Sequence, residues 1–489
     1  MATQGATEAA AIAAVPNRLL IDGDWRDAVD GGAFPVEDPA TEEVLGRVAE
    51  AGPPDAALAL DAAVRAQPDW AGRAPGERAD ILRDAYDALV AREDEVALVM
   101  TLEMGKPLAQ AREEVAYAAA YLRWFSEEAV RVEGGYQVAP DGRRMLIMRQ
   151  PLGPALAILP WNWPLVMAAR EVAPALAAGC TMILKPSRLT PYSTLLLADV
   201  LQRCGLPAGV LNVIPTTHSA PVTGPLIEDP RLRLLTFTGS GEIGQALMAK
   251  AAEHTLRLSM ELGGNAPFIV FPDADLDAAI EGALLAKVRN VGESCTAANR
   301  FLVAEPLAEG FASRLAERMG AMRMGRGTDP EVQVGPLANR EQRDQVAELV
   351  DDALSGGARA LIGGRPHEGR GHFYPPTVLD RLPPDARVLR EEIFGPVAPV
   401  VSFETEEQAI AAANDTEYGL VAYVWTRDMS RALRVSEALE TGMVGLNQGV
   451  VSNPAAPFGG VKRSGFGRKG GRQGLEEYLE TKYIALGRD

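Results

Sequence analysis

The sequence is poor in the residues that several classes of protein require. It has three cysteines and four histidines in 489 residues, and its formal net charge is −18. Three scattered cysteines cannot form a disulfide framework, which favours a reducing compartment, and we expect the cytoplasm. The excess negative charge argues against nucleic acid or an anionic membrane as a partner, because both would be repelled.

Long apolar segments and metal motifs are also lacking. No stretch of 18 apolar residues could span a membrane. The alanine-rich first 15 residues lack the basic start of a secretion signal, and we expect a loose tail there. In HEGRGH, His367 and His372 are five residues apart with glycines between them, so a surface loop is expected instead of a metal site. With so few histidines, we expect a carboxylate to activate any nucleophile.

The order of apolar segments indicates an α/β protein of two or three domains. Helical periodicity covers residues 53–131. From residue 150, short apolar runs alternate with helical segments, which is typical of βαβ units with a parallel sheet. These runs are ALAIL at 155, TMILK at 181, VLNVI at 210, LLTFT at 234 and LRLSMEL at 256. A second alternating region spans residues 266–447.

A glycine-rich turn follows the LLTFT run. Gly239, Gly241 and Gly244 spell G-x-G-x-x-G between an apolar run and the helical stretch QALMAKAAEH, as in a dinucleotide-binding turn. A chance match is the alternative in a chain with 48 glycines. The usual fingerprint has an acidic ribose ligand about 20 residues further on, and Glu261 occupies that place.

Cys295 is the cysteine whose surroundings favour chemistry. It follows a glycine in KVRNVGESCTAANR and precedes RFLVAE, a predicted strand. A loop of this kind suits a thiol that must reach a substrate. A lone cysteine is more often a buried apolar filler, and Cys180 and Cys204 are interpreted in that way.

Seven motifs, in order and over nearly the whole chain, resemble the aldehyde dehydrogenase superfamily. They are PWNWP (160–164), LKPS (184–187), FTGS (237–240), MELGGNAPFIV (260–270), GESC (292–295), EEIFGPV (391–397) and PFGGVKRSG (457–465). The segments AAGCTMILKP, ELGGNAPFIVF and EEYLETKY most resemble its succinate-semialdehyde dehydrogenase branch.

The resemblance implies an α/β fold with a Rossmann-type cofactor domain, an α/β catalytic domain and a small β oligomerisation arm. We expect the cofactor domain in residues 15–127 and 149–261, the catalytic domain in 262–450, and the arm in 128–148 and 465–489. A homodimer or homotetramer is expected.

The resemblance also assigns roles to single residues. Cys295 would be the nucleophile, Glu261 the general base instead of a ribose ligand, and Asn162 an oxyanion donor together with the Cys295 backbone N–H. The cofactor-binding residues that it implies are Trp161, Lys185, Ser187, Arg188, Gly239, Ser240, Glu392 and Phe394. The residues matching positions that bind a distal carboxylate are Arg170, Arg289 and Ser452. No metal is implied.

The expected function is NAD(P)-dependent oxidation of an aldehyde, succinate semialdehyde to succinate, through a cysteine thiohemiacetal and thioester. NADP is the expected cofactor, because Arg188 stands where NAD-preferring relatives often have glutamate; NAD is the alternative. Glutarate semialdehyde or another aldehyde is an alternative substrate. A thiol esterase using Cys295 and Glu261 is a further alternative, and it predicts turnover without nucleotide.

One pair of residues departs from the family pattern. Relatives commonly have lysine after the arginine matched by Arg170 and glutamate in the C-terminal SGxGRE segment. This chain has Glu171 and Lys469 at these positions. Since the exchange keeps one charge of each sign, we expect the two side chains to form a salt bridge behind the base.

Overall fold

The computed structural model describes residues 2–487, with side chains described from residue 7 onward. Among them, no helix combines the length and hydropathy that crossing a bilayer requires. The α-helices of this part are α1 (Ala2–Ala13), α2 (Pro53–Gly72), α3 (Pro75–Ala91), α4 (Glu93–Met104), α5 (Leu108–Glu128), α6 (Pro164–Ala178), α7 (Pro191–Arg203), α8 (Ser219–Glu228), α9 (Gly241–Ala252), α10 (Leu276–Val288), α11 (Glu305–Gly320), α12 (Arg340–Ser355), α13 (Glu406–Asn414), α14 (Met429–Ala438) and α15 (Gly471–Glu476).

The strands form four sheets. They are β1 (Leu19–Ile21), β2 (Asp24–Arg26), β3 (Ala33–Asp38), β4 (Glu43–Ala49), β5 (Gly135–Val138), β6 (Arg144–Pro151), β7 (Ala155–Ile158), β8 (Met182–Lys185), β9 (Leu211–Val213), β10 (Leu234–Thr238), β11 (Arg257–Glu261), β12 (Ala266–Val270), β13 (Ala298–Ala304), β14 (Arg359–Ile362), β15 (Thr377–Asp380), β16 (Val397–Phe403), β17 (Val421–Trp425), β18 (Met443–Leu446), β19 (Gly465–Phe466) and β20 (Leu479–Leu486).

The first large sheet has the order β19-β11-β10-β7-β8-β9-β1-β2. Strands β7 to β11 are parallel and lie on the five apolar runs between residues 155 and 262, so these strand predictions are confirmed. Strands β7 to β10 are buried along their whole length. Continuous burial is expected where helices cover both faces of a parallel sheet.

The second large sheet has the order β14-β15-β16-β13-β12-β17-β18 and is parallel except for β14. The predicted RFLVAE strand lies in β13. Four residues, 262–265, connect β11 of the first sheet to β12 of the second. A Cβ at Gly264 would lie 2.6 Å from the carbonyl oxygen of Cys295. The connection therefore passes directly against the loop that carries the thiol.

A small antiparallel sheet, β20-β6-β5, joins the C-terminal strand to residues 135–151. Its exposed large apolar side chains include Tyr136, Val138 and Tyr483. Strand β19, although part of the C-terminal region expected for the arm, pairs with β11 in the first large sheet.

The expectation of a loose N-terminal tail is wrong for the described residues. Residues 2–13 form α1, where the many alanines favour helix. The end of this segment is anchored, because Ile12 and Val15 are buried in the core. Glu8 also lies 3.0 Å from the guanidinium of Arg326.

Candidate active site

Cys295 lies in the loop between α10 and β13, and a glycine shapes this loop. Gly292 has φ +79°, and a Cβ there would lie 2.2 Å from the carbonyl oxygen of Gly395, so no side chain fits. Asn290 and Val291 also have positive φ values, 55° and 57°. Such backbone strain in non-glycine residues is typical of functional sites. The loop places Cys295 in a cavity lined by residues of both large sheets.

The Cys295 thiol holds its proton in this arrangement. Burial raises its pKa to about 12, although the charge of Arg170 opposes the shift. The thiol is therefore protonated at neutral pH. Because the thiolate is the nucleophilic form, a base or a nearby positive charge must assist its attack on a substrate.

Glu261, the last residue of β11, lines the same cavity. Its backbone carbonyl accepts a hydrogen bond from the N–H of Gly239, 3.0 Å away, which ties it to the glycine turn. Both of its carboxylate oxygens are buried without a hydrogen-bond partner among the described residues. Burial raises the pKa of Glu261 to about 8, against the opposing charge of Lys469. A carboxyl group of this kind can serve as a general base near neutral pH.

Asn162 lies in the loop between β7 and α6, and α6 begins at Pro164, which suits a first helical turn. The Asn162 Nδ2 donates to the carbonyl oxygen of Glu293 at 3.0 Å. An amide group has two N–H donors, so a second one is available. Because Asn162 and Cys295 line the same cavity, that donor can bind an oxyanion formed beside the thiol.

Behind Glu261, Glu171 and Lys469 form the predicted salt bridge, which is confirmed. Lys469 Nζ lies 2.7 Å from Glu171 Oε1, and each side chain is only 1% exposed. Glu171 Oε2 also accepts from Thr236 Oγ1 at 3.0 Å and from the Tyr478 hydroxyl at 2.6 Å. The charge of Glu171 reinforces the raised pKa of Glu261.

The cavity that contains Cys295 has a volume of about 560 Å³, within the range of small-molecule sites. From the predicted cofactor set, its lining includes Trp161, Gly239, Ser240, Glu392 and Phe394. Ser240 precedes the first turn of α9. The free N–H groups of a helix N-terminus favour phosphate binding.

The glycines of the turn differ in what they do. A Cβ at Gly244 would lie 2.4 Å from the Leu262 side chain, so glycine permits close packing of α9 against the sheet. A Cβ at Gly241 would meet nothing within 4 Å. The middle glycine of the motif is therefore not required by packing, whereas a side chain at the third would displace the Leu262 side chain.

Another part of the cavity lining combines a carboxylate with aromatic rings. Glu392 Oε1 accepts from the N–H of Gly264 at 3.0 Å, and burial raises the pKa of Glu392 to about 7. The rings of Trp161 and Phe394 meet edge to face with centroids 5.4 Å apart. A carboxylate can accept hydrogen bonds from the hydroxyl groups of a ribose, and the neighbouring aromatic rings provide an apolar surface for a nicotinamide ring. The residues present thus fit a dinucleotide.

Lys185, Ser187 and Arg188 lie at the carboxyl end of β8, outside the lining of this cavity in the described part of the chain. Strand β7 separates β8 from β10, so these residues and the glycine turn share one edge of the sheet. Burial lowers the pKa of Lys185 to about 8, and the charge of Arg188 adds to that shift. Arg188 itself is exposed.

A small pocket next to Cys295 contains the three residues predicted to bind a carboxylate, Arg170, Arg289 and Ser452. The guanidinium of Arg170 lies 4.2 Å from the centroid of the Phe458 ring. Arg170 is 3% exposed, and its Nε and Nη1 atoms have no hydrogen-bond partner within the described chain. Unpaired donors on a buried cation beside a cavity suit an anionic group.

The sequence analysis did not identify several residues of this pocket. Tyr117, whose hydroxyl accepts a 3.4 Å hydrogen bond from Arg170 Nη2, lies on α5, far from the quoted motifs. Phe458 lies inside the quoted PFGGVKRSG motif, which could have indicated it. Trp163, 4.5 Å from the Arg289 guanidinium, lies likewise inside PWNWP. The HEGRGH segment forms a loop, and no group of three potential metal ligands is found among the described residues.

Comparisons with known proteins give a consistent result. The sequence profile of the aldehyde dehydrogenase family matches residues 25–484. The chain is 56% identical to a succinate-semialdehyde dehydrogenase of Paenarthrobacter nicotinovorans, over 91% of this chain and 99% of the relative. It is 48% identical to the NADP⁺-dependent succinate-semialdehyde dehydrogenase GabD of Escherichia coli K12, over 96% of this chain and 98% of the relative.

Two further similarities extend this result. The chain is 47% identical to a glutarate-semialdehyde dehydrogenase of Pseudomonas aeruginosa PAO1, over 96% of this chain and 97% of the relative. The crystal structure of an E. coli NADP-dependent enzyme superposes with a TM-score of 0.96 at 47% identity, over 97% of this chain and 98% of that one.

Proposed function

This chain belongs to the aldehyde dehydrogenase family, and on that premise we propose that it oxidises succinate semialdehyde to succinate with NADP as the preferred cofactor. The observation that carries the proposal is the buried Arg170, which lines a pocket shared with Cys295 and whose Nε and Nη1 have no hydrogen-bond partner among the described residues. An aldehyde with a distal carboxylate would pair with that charge while its carbonyl reaches the thiol.

The proposed reaction divides its work among three residues. Ionised Glu261 accepts the thiol proton as the Cys295 sulfur attacks the aldehyde carbon, and Asn162 Nδ2 with the Cys295 N–H stabilises the oxyanion. When bound, the nicotinamide supplies the hydride acceptor that turns the thiohemiacetal into a thioester. After it has released the thiol proton to solvent, Glu261 removes a proton from water, whose oxygen attacks the thioester carbon. The C–S bond breaks, the acid is released, and the departing Cys295 thiolate takes up the proton from Glu261.

Substrate selection follows from Arg170, Arg289 and Ser452. Two guanidinium groups and a hydroxyl supply several donors to one carboxylate, and charge-assisted hydrogen bonds of this kind are stronger than neutral ones. The 47% identical glutarate-semialdehyde dehydrogenase makes the five-carbon semialdehyde the second candidate substrate.

Replacement of Arg289 by alanine tests the carboxylate site. We expect kcat/KM for succinate semialdehyde to fall by about 10- to 100-fold, since one charge-assisted hydrogen bond contributes about 1.5–3 kcal/mol. Butanal, which has the same chain length and no carboxylate, is the matched control and should change little. An equal loss for both aldehydes would contradict the proposal.

The preference for NADP rests on the basic pair beside β8. Arg188 is exposed next to Lys185, and two cations can bind a ribose 2′-phosphate. The NADP⁺ dependence of the 48% identical GabD supports the same choice.

We also propose that the chain self-associates and that it works in the cytoplasm. We place the contact between identical chains on the β5-β6-β20 sheet, where Tyr136, Val138 and Tyr483 are exposed. The assembly would be a homodimer or homotetramer, and light scattering would measure its mass. Three cysteines that form no disulfide with one another fit the cytoplasm.

A further inference from the structure

A buried ion pair lies behind the loop that carries Asn162. Lys106 and Glu114 have fully buried side chains, and Lys106 Nζ contacts Glu114 Oε2. Glu114 lies on α5, and Lys106 lies just before that helix. Neither residue belongs to the lining of the cavities around Cys295 in the described chain. The pair therefore has no direct access to a ligand there.

Both members of the pair hold the segment 162–166. Lys106 Nζ donates to the carbonyl oxygen of Asn162 at 3.2 Å and lies 4.1 Å from the centroid of the Trp163 ring. Glu114 Oε1 accepts from the backbone N–H groups of residues 165 and 166, at 3.0 and 3.1 Å. These are orphan donors in the first turn of α6. The pair thus holds the loop that carries Asn162 and the N-terminal turn of α6 that follows it.

The Trp163 ring extends this contact to the substrate pocket. It lies 4.5 Å from the Arg289 guanidinium as well as 4.1 Å from Lys106 Nζ. A shift of the ring would move the surface against which Arg289 rests. Lys106 therefore contacts the loop that carries Asn162 directly and the pocket of Arg289 through the Trp163 ring.

A buried ion pair adds little to the free energy of unfolding. The desolvation of both charges commonly cancels their attraction, and apolar side chains of similar size often stabilise a protein as well. Burial indeed lowers the pKa of Lys106, and Glu114 opposes this shift. An apolar pair of similar size could not make the hydrogen bonds to segment 162–166 that Lys106 and Glu114 make.

We propose that Lys106 and Glu114 are positioning residues for the reaction, which hold segment 162–166 so that the Asn162 amide meets the oxyanion and Trp163 supports Arg289. This inference rests on the role of Asn162 in the proposed function.

The test replaces the pair together, because removal of one partner would leave an unpaired buried charge. In Lys106→Met with Glu114→Gln, the glutamine still accepts from the α6 backbone while the contact to Asn162 is lost. The measurement is the rate of NADPH formation in the first turnover with succinate semialdehyde and with butanal. The dissociation constant of NADPH and the melting temperature are measured on the same samples.

We expect the first turnover of the double variant to slow at least tenfold with both aldehydes, while NADPH binding stays within twofold. Asn162→Ala should slow it by about 100-fold, the effect of losing an oxyanion donor. Adding Asn162→Ala to the double variant should slow it little beyond Asn162→Ala alone, because residues that act through one another are not additive. The preference for succinate semialdehyde over butanal should also decrease in the double variant.

Glu103→Gln provides a matched control. Glu103 is a buried carboxylate that accepts from two backbone N–H groups at the start of α7, both at 2.8 Å. Its replacement alters a similar helix cap whose hydrogen bonds go to residues 192 and 193 and not to segment 162–166, so the first turnover at saturating cofactor should stay within twofold.

A first turnover within threefold of the unchanged protein, or independent and multiplicative effects of the pair and Asn162→Ala, would overturn the inference. An unchanged rate in Asn162→Ala would instead remove the proposed role of Asn162, and the inference with it. If the double variant does not fold, Lys106→Arg is measured instead. It keeps the charge, but the planar guanidinium cannot reproduce the contact of the compact ammonium group with the Asn162 carbonyl. A normal first turnover in that variant would equally overturn the inference.

Discussion

Two residues of the proposed reaction must lose a proton, and burial makes that difficult for both. The pKa is raised to about 12 for Cys295 and to about 8 for Glu261. The carboxyl group therefore ionises first as the pH rises. Only its ionised form can accept a proton from water, so the state of Glu261 controls hydrolysis of the thioester.

This order predicts the pH dependence of the hydrolysis step. Below pH 8, the rate of thioester hydrolysis should rise about tenfold per pH unit, because the fraction of ionised Glu261 rises in that proportion, and it should level off above pH 8. The measurement is the rate of thioester hydrolysis between pH 6 and 9.5, followed as the release of acid from the acylated enzyme after NADPH formation in the first turnover. Glu261→Gln is the control and should be slow and nearly independent of pH. A profile of the unchanged protein that is flat from pH 6 to 9 would contradict this role.

At the scale of elements, three segments far apart in the chain meet behind Glu261. Helix α6 contributes Glu171, β10 contributes Thr236, and the segment after β19 contributes Lys469. The Tyr478 hydroxyl completes the set of partners of the Glu171 carboxylate. The salt bridge and the Thr236 contact thus join the C-terminal segment to α6 and to a buried strand of the first large sheet.

Exchange of the two charges tests whether the pair acts as a unit. Glu171→Lys alone or Lys469→Glu alone should lower the free energy of unfolding by about 3–5 kcal/mol and greatly reduce activity, because each places like charges together in a buried site. The double variant should recover most of both losses. Urea unfolding and kcat of all three variants provide the measurement.

An exposed pair of the same residue types serves as the control. Lys250 and Glu228 are also 2.7 Å apart, but their side chains are 36% and 55% exposed. Reversal of Lys250 alone should cost less than about 1 kcal/mol, as for surface salt bridges in general. If the single changes at Glu171 and Lys469 cost no more than this, or if the double variant gains nothing over them, the buried pair has no such role.

Strands β7 to β11 were predictable from local sequence, because each is a short apolar run in a region where such runs alternate with helical segments. The N-terminal helix was missed, since a run of alanines has high helix propensity but little amphipathic pattern. The exposed face of β5, β6 and β20 likewise has no local signal that distinguishes it from an ordinary edge.

At the scale of the whole molecule, the site residues were predictable where they lie in motifs, and their partners were not. Cys295, Glu261 and Asn162 follow from the quoted motifs, and the structure brings them to one cavity. Tyr117 on α5 and Lys106, in the segment just before α5, approach the site from another part of the chain. Their contacts depend on how α5 packs against α6, which periodicity alone does not determine.

The proposed oxidation of a small anionic aldehyde with NADP involves three parts of the molecule. They are the pocket of Arg170 and Arg289, the Cys295 thiol, and the basic pair Lys185 and Arg188 at β8. Each of these parts makes a separate contribution to kcat/KM, through the aldehyde or through the cofactor.

The most direct test is kcat/KM for succinate semialdehyde, glutarate semialdehyde, butanal and pentanal, each with NADP and with NAD. We predict the highest value for succinate semialdehyde with NADP, at least 100-fold above butanal, because two charge-assisted contacts are lost without the carboxylate. With NAD the value should be at least tenfold lower. Equal efficiency for butanal and succinate semialdehyde, or a clear preference for NAD, would contradict the account.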